Sequence, residues 1–274
     1  MTGRSQLINV AKMRGNLRES IEDSVAIEEP LEIRLGYEDA GTRRTRSVSI
    51  TMRTPGDDED LASGFLFTES IVRSPDDIAI IKPCDGDNTL RVELEDGVDV
   101  DLDRLQRHFY TSSSCGVCGK ASLDALHATG LEPIPAIPAQ FSRDVLVEIP
   151  GRLRALQETF AKTGGLHAAA AFSSDSELLV VREDVGRHNA VDKVIGALFR
   201  TARLPARDLG LMVSGRASFE LMQKAAVAGM PLLAAVSAPS SLAVELAREF
   251  NVTLVGFLRG DTFNVYAGEE RIAE

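Results

Sequence analysis

The sequence predicts an α/β protein whose N-terminal half is a strand-rich α+β region, and two patterns support this. In the first half, apolar residues alternate with polar ones around 31–35 and 48–52, as expected for half-buried strands. In the second half, apolar runs alternate with helical patterns, which indicates helices covering a largely parallel sheet. The apolar, strand-like runs are 167–172, 178–182, 210–213, 231–236 and 252–257, and the helical patterns are 189–202, 217–229 and 240–250.

The N-terminal elements follow in chain order. Residues 1–27 are polar and carry no clear period, so we expect a poorly ordered arm. Residues 28–130 form the N-terminal α+β region, which begins with two strands joined by a turn at 38–41. A helix should start in the acidic segment 57–60, where negative charge suits the helix dipole, and run to about Val72. Short strands follow near 78–83, 89–94 and 98–102, and the region ends with a Cys-x-x-Cys loop.

Three prolines in residues 131–140 mark a linker to a C-terminal α/β domain at 141–274. The first helix of that domain is predicted at 151–162, and Gly164 and Gly165 should end it. The alternating strands and helices given above then follow. The polar loops after those strands make this the candidate cofactor-binding domain.

Composition and charge exclude several classes of function. The chain of 274 residues has a formal net charge of −11, so we expect no nucleic-acid partner, because phosphate contacts need clustered Lys and Arg. No apolar run approaches the ~20 residues of a membrane helix, and none is typical of a signal peptide. We therefore expect a cytoplasmic protein that does not enter a membrane, with its three cysteines mostly reduced.

Cys115 and Cys118 stand in a glycine-flanked loop just before a short helical pattern at 121–129. A position near a helix N-terminus and close to Lys120 favours the thiolate over the thiol. The pair can hold half of a zinc site, a redox disulfide or a sulfur atom in transit. Cys84 stands alone and the four histidines form no pair at ligand spacing, so we predict no metal. A thioredoxin-like disulfide and a pair of unreactive thiols remain as alternatives.

Glycines, hydroxyl residues and arginines follow the strands of the C-terminal half. Arg187 and His188 come after one strand, and both side chains can meet a phosphate or a reacting group. Ser214, Gly215 and Arg216 follow the next strand, at a helix start whose free N–H groups can bind an anion. The same pattern recurs at 236–241 and 256–262. Because the carboxyl ends of parallel strands meet at one edge of a sheet, these loops predict a pocket for a large phosphate-bearing ligand.

Together these segments closely resemble the FdhD family, the formate dehydrogenase accessory sulfurtransferases. The resemblance runs in collinear order over about residues 28–267, and it includes the thiol motif without a departure. The matching segments are 54–57, 113–120, 163–167, 182–193, 214–220, 235–243 and 256–260.

The resemblance implies a sulfur carrier, an enzyme of the sulfurtransferase class that formate dehydrogenase activity requires. A cysteine desulfurase would deliver sulfane sulfur to Cys115 as a persulfide, with Cys118 as an assisting thiol. The sulfur would pass to the bis-molybdopterin guanine dinucleotide molybdenum cofactor before that cofactor enters formate dehydrogenase. Such a transfer needs an accessible thiol that ionises readily, and the glycine-flanked loop suits this need.

The resemblance also implies a binding site, a fold and an assembly. Guanine nucleotides should bind where the guanine nucleotide part of the cofactor binds. The C-terminal domain is expected to have a cytidine-deaminase-like α/β fold without the deaminase zinc motif, and the chain is expected to form a homodimer. The family's cofactor-binding stretch corresponds to Phe257, Leu258, Arg259, Gly260, Asp261 and Thr262.

Two other functions remain open. In one, the chain is a non-catalytic chaperone that binds and delivers the molybdenum cofactor, and its cysteines serve only structure or docking. In the other, it is a thiol–disulfide oxidoreductase, which would act on protein disulfides without depending on a desulfurase.

Overall fold

The N-terminal region is built on a four-stranded sheet with one helix packed against it. The computed structural model describes residues 3–100, 130–135 and 141–273. The elements are β1 (Ser5–Arg14), β2 (Leu17–Ala26), β3 (Glu29–Asp39), β4 (Thr42–Arg53), α1 (Asp58–Thr68), a 3-10 turn (Pro75–Asp77), β5 (Ile78–Pro83) and β6 (Thr89–Leu94). Strands β1 and β2 form a separate hairpin, and the four-stranded sheet that follows has the strand order β4-β3-β6-β5.

The C-terminal region is built on a six-stranded sheet. Its elements are β7 (Phe141–Ser142), α2 (Arg143–Leu156), α3 (Glu158–Thr163), β8 (His167–Phe172), β9 (Leu178–Asp184), α4 (Arg187–Arg200), β10 (Gly210–Val213), α5 (Phe219–Val227), β11 (Leu232–Ala235), α6 (Ser241–Glu249), β12 (Thr253–Arg259), β13 (Thr262–Ala267), a 3-10 turn (Glu269–Arg271) and β14 (Ile272–Ala273). The strand order is β13-β12-β11-β10-β8-β9, and β7 pairs separately with β14.

Helices cover both faces of the six-stranded sheet. On one face, Val191, Leu221 and Leu246 from α4, α5 and α6 share a core with alternate sheet residues. On the other face, Leu146 and Ile149 from α2 share a core with the sheet residues that point to that side, such as Ala170. The mixed α/β architecture predicted from the sequence is therefore confirmed. Among the described helices, none has the length and apolar character that a membrane crossing requires.

The direction of the strands differs in part from the expected parallel sheet. Strands β10, β11 and β12 are parallel, whereas β8, β9 and β13 each run antiparallel to a neighbour. The connections explain the difference, because β8–β9 and β12–β13 are joined by short turns. A parallel pair needs a crossover of about a dozen residues or more, which these turns do not provide.

The first helices of the C-terminal region also begin earlier than the sequence predicts. The Ser142 hydroxyl accepts a hydrogen bond from the Val145 N–H at 3.2 Å and so caps α2. Helix α2 then runs through Pro150 and ends at Leu156, whereas the sequence predicts a helix at 151–162. Gly164, with φ of 66°, ends α3 as predicted.

Residues 5–26 form an antiparallel hairpin, which corrects the expectation of a poorly ordered arm. Most of its side chains are exposed on both faces. A strand without a buried face does not need alternating apolar residues, so the usual period of a strand is missing from its sequence.

The two halves of the chain share a tight helix contact. A Cβ atom placed on Gly64 of α1 would lie 1.9 Å from the Asp192 carbonyl oxygen of α4. One placed on Gly196 of α4 would lie 1.8 Å from the Asp60 carbonyl oxygen of α1. Both glycines are thus needed for the close approach of the two helices. The domain boundary at 131–140 stays a prediction.

Candidate functional site

Four strand ends lie on one edge of the six-stranded sheet. Strand β9 is antiparallel to β8, and β8 is antiparallel to β10, so β9 points the same way as β10, β11 and β12. The loops after these strands therefore share one edge, as the sequence predicts for its polar loops. The start of β8 lies on the same edge because that strand is reversed.

Backbone hydrogen bonds connect these loops to one another. The Phe257 N–H donates to the Ser237 carbonyl oxygen at 3.2 Å. The Ser237 N–H donates in turn to the Gly215 carbonyl oxygen at 3.3 Å. Nearby, the Ala168 N–H donates to the Ser214 hydroxyl at 2.9 Å. The edge is thus one continuous surface from the end of β12 to the start of β8.

The six residues that the resemblance assigns to the cofactor span the end of β12, the turn and the start of β13. The Phe257 side chain is 41% exposed, whereas Leu258 is fully buried and packs into the core. Arg259 donates from Nε to the Val236 carbonyl oxygen at 3.0 Å, which fixes its side chain along the edge. Of this stretch, Phe257 and Arg259 can therefore meet a ligand, and Leu258 anchors the turn. Gly260 and Asp261 in the turn and Thr262 at the start of β13 are exposed.

A buried carboxylate positions the start of α4. Asp184 accepts hydrogen bonds from the Gly186 N–H at 2.8 Å and the Thr54 N–H at 3.2 Å. It also accepts from Asn189 Nδ2 at 3.0 Å and pairs with Lys193 Nζ at 2.7 Å. This network joins segment 182–193 to the turn after β4, so two motifs that are far apart in sequence form one structure.

Helix N-termini and polar side chains meet beside that network. Helices α4 and α5 begin without a side-chain cap, at Gly186 and Ser218. Within the described structure, three buried side-chain atoms here have no hydrogen-bond partner: Arg187 Nε, His188 Nε2 and Ser218 Oγ. Buried polar groups are normally paired, so these atoms suit a ligand that accepts and donates hydrogen bonds. Free helix N–H groups and an arginine favour an anion.

His188 and Glu220 lie close together at the same place. His188 Nε2 lies 3.9 Å from Glu220 Oε2, which is an ion-pair distance but too long for a hydrogen bond. The imidazole lowers the pKa of Glu220 to about 2, although burial acts in the opposite direction. Glu220 therefore stays ionised over the physiological range.

His167 stands at the start of β8 and faces the same cluster. Burial lowers its pKa, and the charges of Arg187 and His188 lower it further, against the effect of Asp184. A Cβ atom on Gly215 would lie 3.4 Å from its Nδ1, so this glycine leaves room beside the ring. A neutral imidazole can donate one hydrogen bond and accept another.

The structure adds four residues to the candidate site and describes most of those predicted. His167, Asp184, Ser218 and Glu220 lie in the quoted motifs, but their type and spacing did not single them out. The cofactor-binding residues predicted from the sequence all lie on this edge, and the Arg216 side chain is exposed there. Cys115 and Cys118 lie outside the described residues. Cys84 is a free, half-buried thiol. Within the described ranges, no three or more His, Cys, Asp or Glu side chains are grouped so that they could bind a metal ion.

The fold and this edge define a mixed α/β protein with a polar surface formed by strand ends. The model of the FdhD/NarQ family matches residues 26–273, and the chain therefore belongs to that family. "Sulfur carrier protein FdhD" of Streptomyces coelicolor is 51% identical over 273 residues, which cover 96% of this chain and 94% of the relative. The protein of that name from Sulfurisphaera tokodaii is 43% identical over 265 residues, covering 97% of this chain and 98% of the relative.

A solved structure supports the same relationship. A crystal structure described as that of a formate dehydrogenase accessory protein from Desulfotalea psychrophila matches with a TM-score of 0.78 and 25% identity. The match covers 99% of this chain and 100% of the other. The fold described above is thus similar to the fold of that protein over the whole length.

Proposed function

We propose that the chain is a sulfur carrier that serves a formate dehydrogenase. The observation that carries the proposal is the family match over residues 26–273, a range that includes both Cys115 and Cys118. Relatives called sulfur carriers align over nearly the full length of this chain. The accessory protein of similar fold supports formate dehydrogenase as the enzyme that is served.

The proposed chemistry is persulfide transfer through Cys115. Its thiolate attacks the outer sulfur of a persulfide on a cysteine desulfurase, the donor S–S bond breaks, and the donor leaves as a thiolate. Cys115 then carries the outer sulfur as its own persulfide, so no separate oxidant is needed. Cys118 is proposed to assist as a second thiol. The acceptor is the bis-molybdopterin guanine dinucleotide molybdenum cofactor, which the chain handles as a substrate.

The strand-end edge is the proposed binding surface for that cofactor. Arg187 Nε, His188 Nε2 and Ser218 Oγ are buried and have no hydrogen-bond partner among the described residues, and they suit phosphate oxygens. The uncapped N-termini of α4 and α5 add N–H donors. Phe257 offers an exposed aromatic face on which a guanine base can stack. Arg216 and Arg259 are proposed to contribute positive charge at the rim.

Desulfurase loading followed by peptide mass spectrometry tests the sulfur carrier. The chain is incubated with a cysteine desulfurase and cysteine, and its thiol peptides are then compared. We expect the mass of an added sulfur on the Cys115 peptide and its loss in Cys115→Ala. Cys84→Ala is the matched control, because it removes a thiol from another part of the chain. Unchanged loading of Cys115→Ala would contradict the role of this residue.

A cofactor chaperone is the second candidate function, because every part of the polar edge lies outside the thiol loop. This function predicts that a Cys115→Ala/Cys118→Ala protein still restores formate dehydrogenase activity in cells that lack the wild-type chain. Full restoration would favour the chaperone, whereas its absence, with cofactor binding intact, would favour the sulfur carrier. A two-copy assembly, also proposed here, is compatible with both functions.

A further inference from the structure

A buried arginine lies at the far edge of the six-stranded sheet, opposite the strand-end edge described above. Arg271, in the 3-10 turn after β13, is 3% exposed, and its guanidinium contacts Thr253 at the start of β12. Strand β12 runs over seven residues from Thr253 to Arg259, so roughly 20 Å separates the two edges. The surroundings of Arg271 are therefore distinct from the proposed cofactor surface.

One side of this guanidinium is held by the chain. Arg271 Nη1 donates to Thr253 Oγ1 at 3.4 Å, and that hydroxyl donates in turn to the Gly268 carbonyl oxygen at 2.8 Å. Gly268 has a φ of 69°, and a Cβ atom on it would lie 2.6 Å from Thr253 Oγ1. The turn can close onto Thr253 because this residue is a glycine, and its closure fixes the position of the guanidinium.

The other side of the guanidinium is unused. Arg271 Nε and Nη2 are buried and have no hydrogen-bond partner within the described part of the chain. The N–H bonds of these two nitrogens form a fork that can bind both oxygens of a carboxylate. Buried polar groups are normally paired, and a buried charge without full pairing is costly. The fork of Arg271 is therefore ready to bind an acceptor.

Two other arginines of the chain show which contact this fork makes. Arg53, which is also fully buried, binds the two oxygens of Asp58 through Nε and Nη2, both at 3.0 Å. Arg182 uses the same two nitrogens on Asp60, at 3.1 and 2.7 Å. Among the described residues, no carboxylate accepts from the same fork of Arg271. A carboxylate from outside the chain would complete the pattern.

The local charge favours an anion with a single negative charge. Glu270 Oε1 lies 3.7 Å from Arg271 Nη1, which is an ion-pair distance on the side that Thr253 holds. Burial lowers the pKa of Arg271, and Glu270 opposes this effect without cancelling it. A dianion such as phosphate would bring two negative charges to a place that already holds Glu270, whereas a carboxylate brings one.

We infer that the Arg271 fork binds a small free monocarboxylate, of the size of formate or acetate. The two carboxylate oxygens accept hydrogen bonds from Nε and Nη2, and the bound anion holds the turn against the start of β12. The fork atoms are almost completely covered, so a bulky acid does not fit. Glu269 and Glu270 in the adjoining turn are exposed, so a local opening of this surface turn can admit a small acid. The inference goes beyond the proposed sulfur transfer and does not depend on it.

Thermal unfolding of the full chain tests the inference, with sodium formate compared with sodium chloride at equal ionic strength. A ligand that binds the folded chain raises the midpoint of unfolding as its concentration rises. We expect formate to raise the midpoint by at least about 2 °C over chloride. Arg271→Lys keeps the charge but lacks the fork, and it should lose this shift. Arg152→Lys is the matched control, because Arg152 is 53% exposed on α2, and it should keep the shift.

Further titrations separate this site from the strand-end edge and define its ligand. Arg187→Ala should keep the formate shift, since Arg187 lies on the other edge of the sheet. Acetate should also raise the midpoint, whereas phosphate and benzoate should raise it less. Loss of the shift in Arg187→Ala would place the formate on the other edge and overturn the inference. A shift with phosphate or benzoate as large as that with formate would overturn the assignment to a small monocarboxylate.

Nitrogen-15 NMR of the wild type keeps the test decisive even where Arg271→Lys does not fold. The Nε–H signal of Arg271 is assigned through its backbone correlations and followed as formate is added. We expect this signal to move and to reach a plateau, because its N–H donates to the anion, while that of Arg152 stays in place. An Arg271 signal that does not move, or equal wild-type midpoints in formate and chloride, would overturn the inference.

Discussion

Lys193 Nζ lies 2.7 Å from Asp184 Oδ2, and both side chains are at most 1% exposed. Lys193 also donates to the Thr54 carbonyl oxygen at 2.9 Å, and Asp184 accepts from the N–H of the same residue. The pair therefore holds the turn after β4 against the start of α4. The position of Arg187 and His188 on the strand-end edge depends on this pair.

Asp184→Asn should destabilise the protein and loosen the start of α4. The change leaves the Lys193 charge buried without its partner, and breaking a buried pair in this way typically costs about 3–5 kcal/mol. Chemical denaturation measures the free energy of unfolding. Asp208→Asn is the control, because that carboxylate is 74% exposed and lies 3.5 Å from Arg203. It should change stability by less than about 1 kcal/mol, and equal losses in both variants would contradict the prediction.

Gly64→Ala should separate α1 from α4 or prevent folding. The new Cβ atom would lie 1.9 Å from a backbone oxygen, which cannot rotate away like a side chain. We expect a loss of about 3 kcal/mol or more in the free energy of unfolding. Gly151→Ala in helix α2 is the matched control, since no neighbouring atom lies within 4 Å of its Cβ position. That change should stabilise the helix by about 0.5–1 kcal/mol, and a thermal scan would reveal the opposite signs.

Glu220 should contribute stability that depends on pH. Its pKa falls from 4.5 to about 2 in the folded chain, mainly through the adjacent His188 imidazole. A lowered carboxyl pKa stabilises the fold above pH 4.5, and this contribution is lost as the pH falls towards 2. The stability difference between wild type and Glu220→Gln should therefore shrink across that window. In a His188→Gln background the difference should be small throughout, and a persistent pH dependence there would contradict the assignment to His188.

Arg187→Ala should weaken the binding of GDP, used as a probe for the cofactor's nucleotide. A hydrogen bond to a charged group is worth about 1.5–3 kcal/mol, so the dissociation constant should rise at least about tenfold. Calorimetry measures the change, and binding should also weaken with added salt. Arg203→Ala is the control, because this exposed arginine pairs with Asp208 beyond the far end of α4. Equal GDP affinity in wild type and Arg187→Ala would remove the phosphate site from the start of α4.

Much of the C-terminal domain could be predicted from the sequence, because its strands are buried on both faces. Runs such as 210–213 and 231–236 are apolar throughout and are each followed by a serine, which marks both the strand and the loop after it. Because these strands end on the same side of the sheet, the loops that follow them meet at one edge, which brings Ser214, Ser237 and Phe257 together. The parallel strands β10, β11 and β12 then bring the loops together.

The remaining features depend on contacts that a sequence pattern does not contain. His167 joins the site because β8 is reversed, and a strand's direction is set by the turn that follows it. Asp184 looks like one charge in a polar loop until its hydrogen bond from Thr54, 130 positions away, is known. The hairpin at 5–26 could not be predicted from its periodicity because neither face is buried in one chain.

The anchors on either side of the thiol motif set a limit on the travel of its sulfur. Val100 packs against the N-terminal core, and Leu131 packs against the C-terminal core. Ile134, just beyond, is held by a hydrogen bond from its N–H to the Phe250 carbonyl oxygen at 3.0 Å. Cys115 stands fifteen residues from Val100 and sixteen from Leu131, and a chain of that length spans at most about 50 Å. In the proposed transfer, the donor enzyme and the acceptor must therefore both meet Cys115 within that distance of these two points.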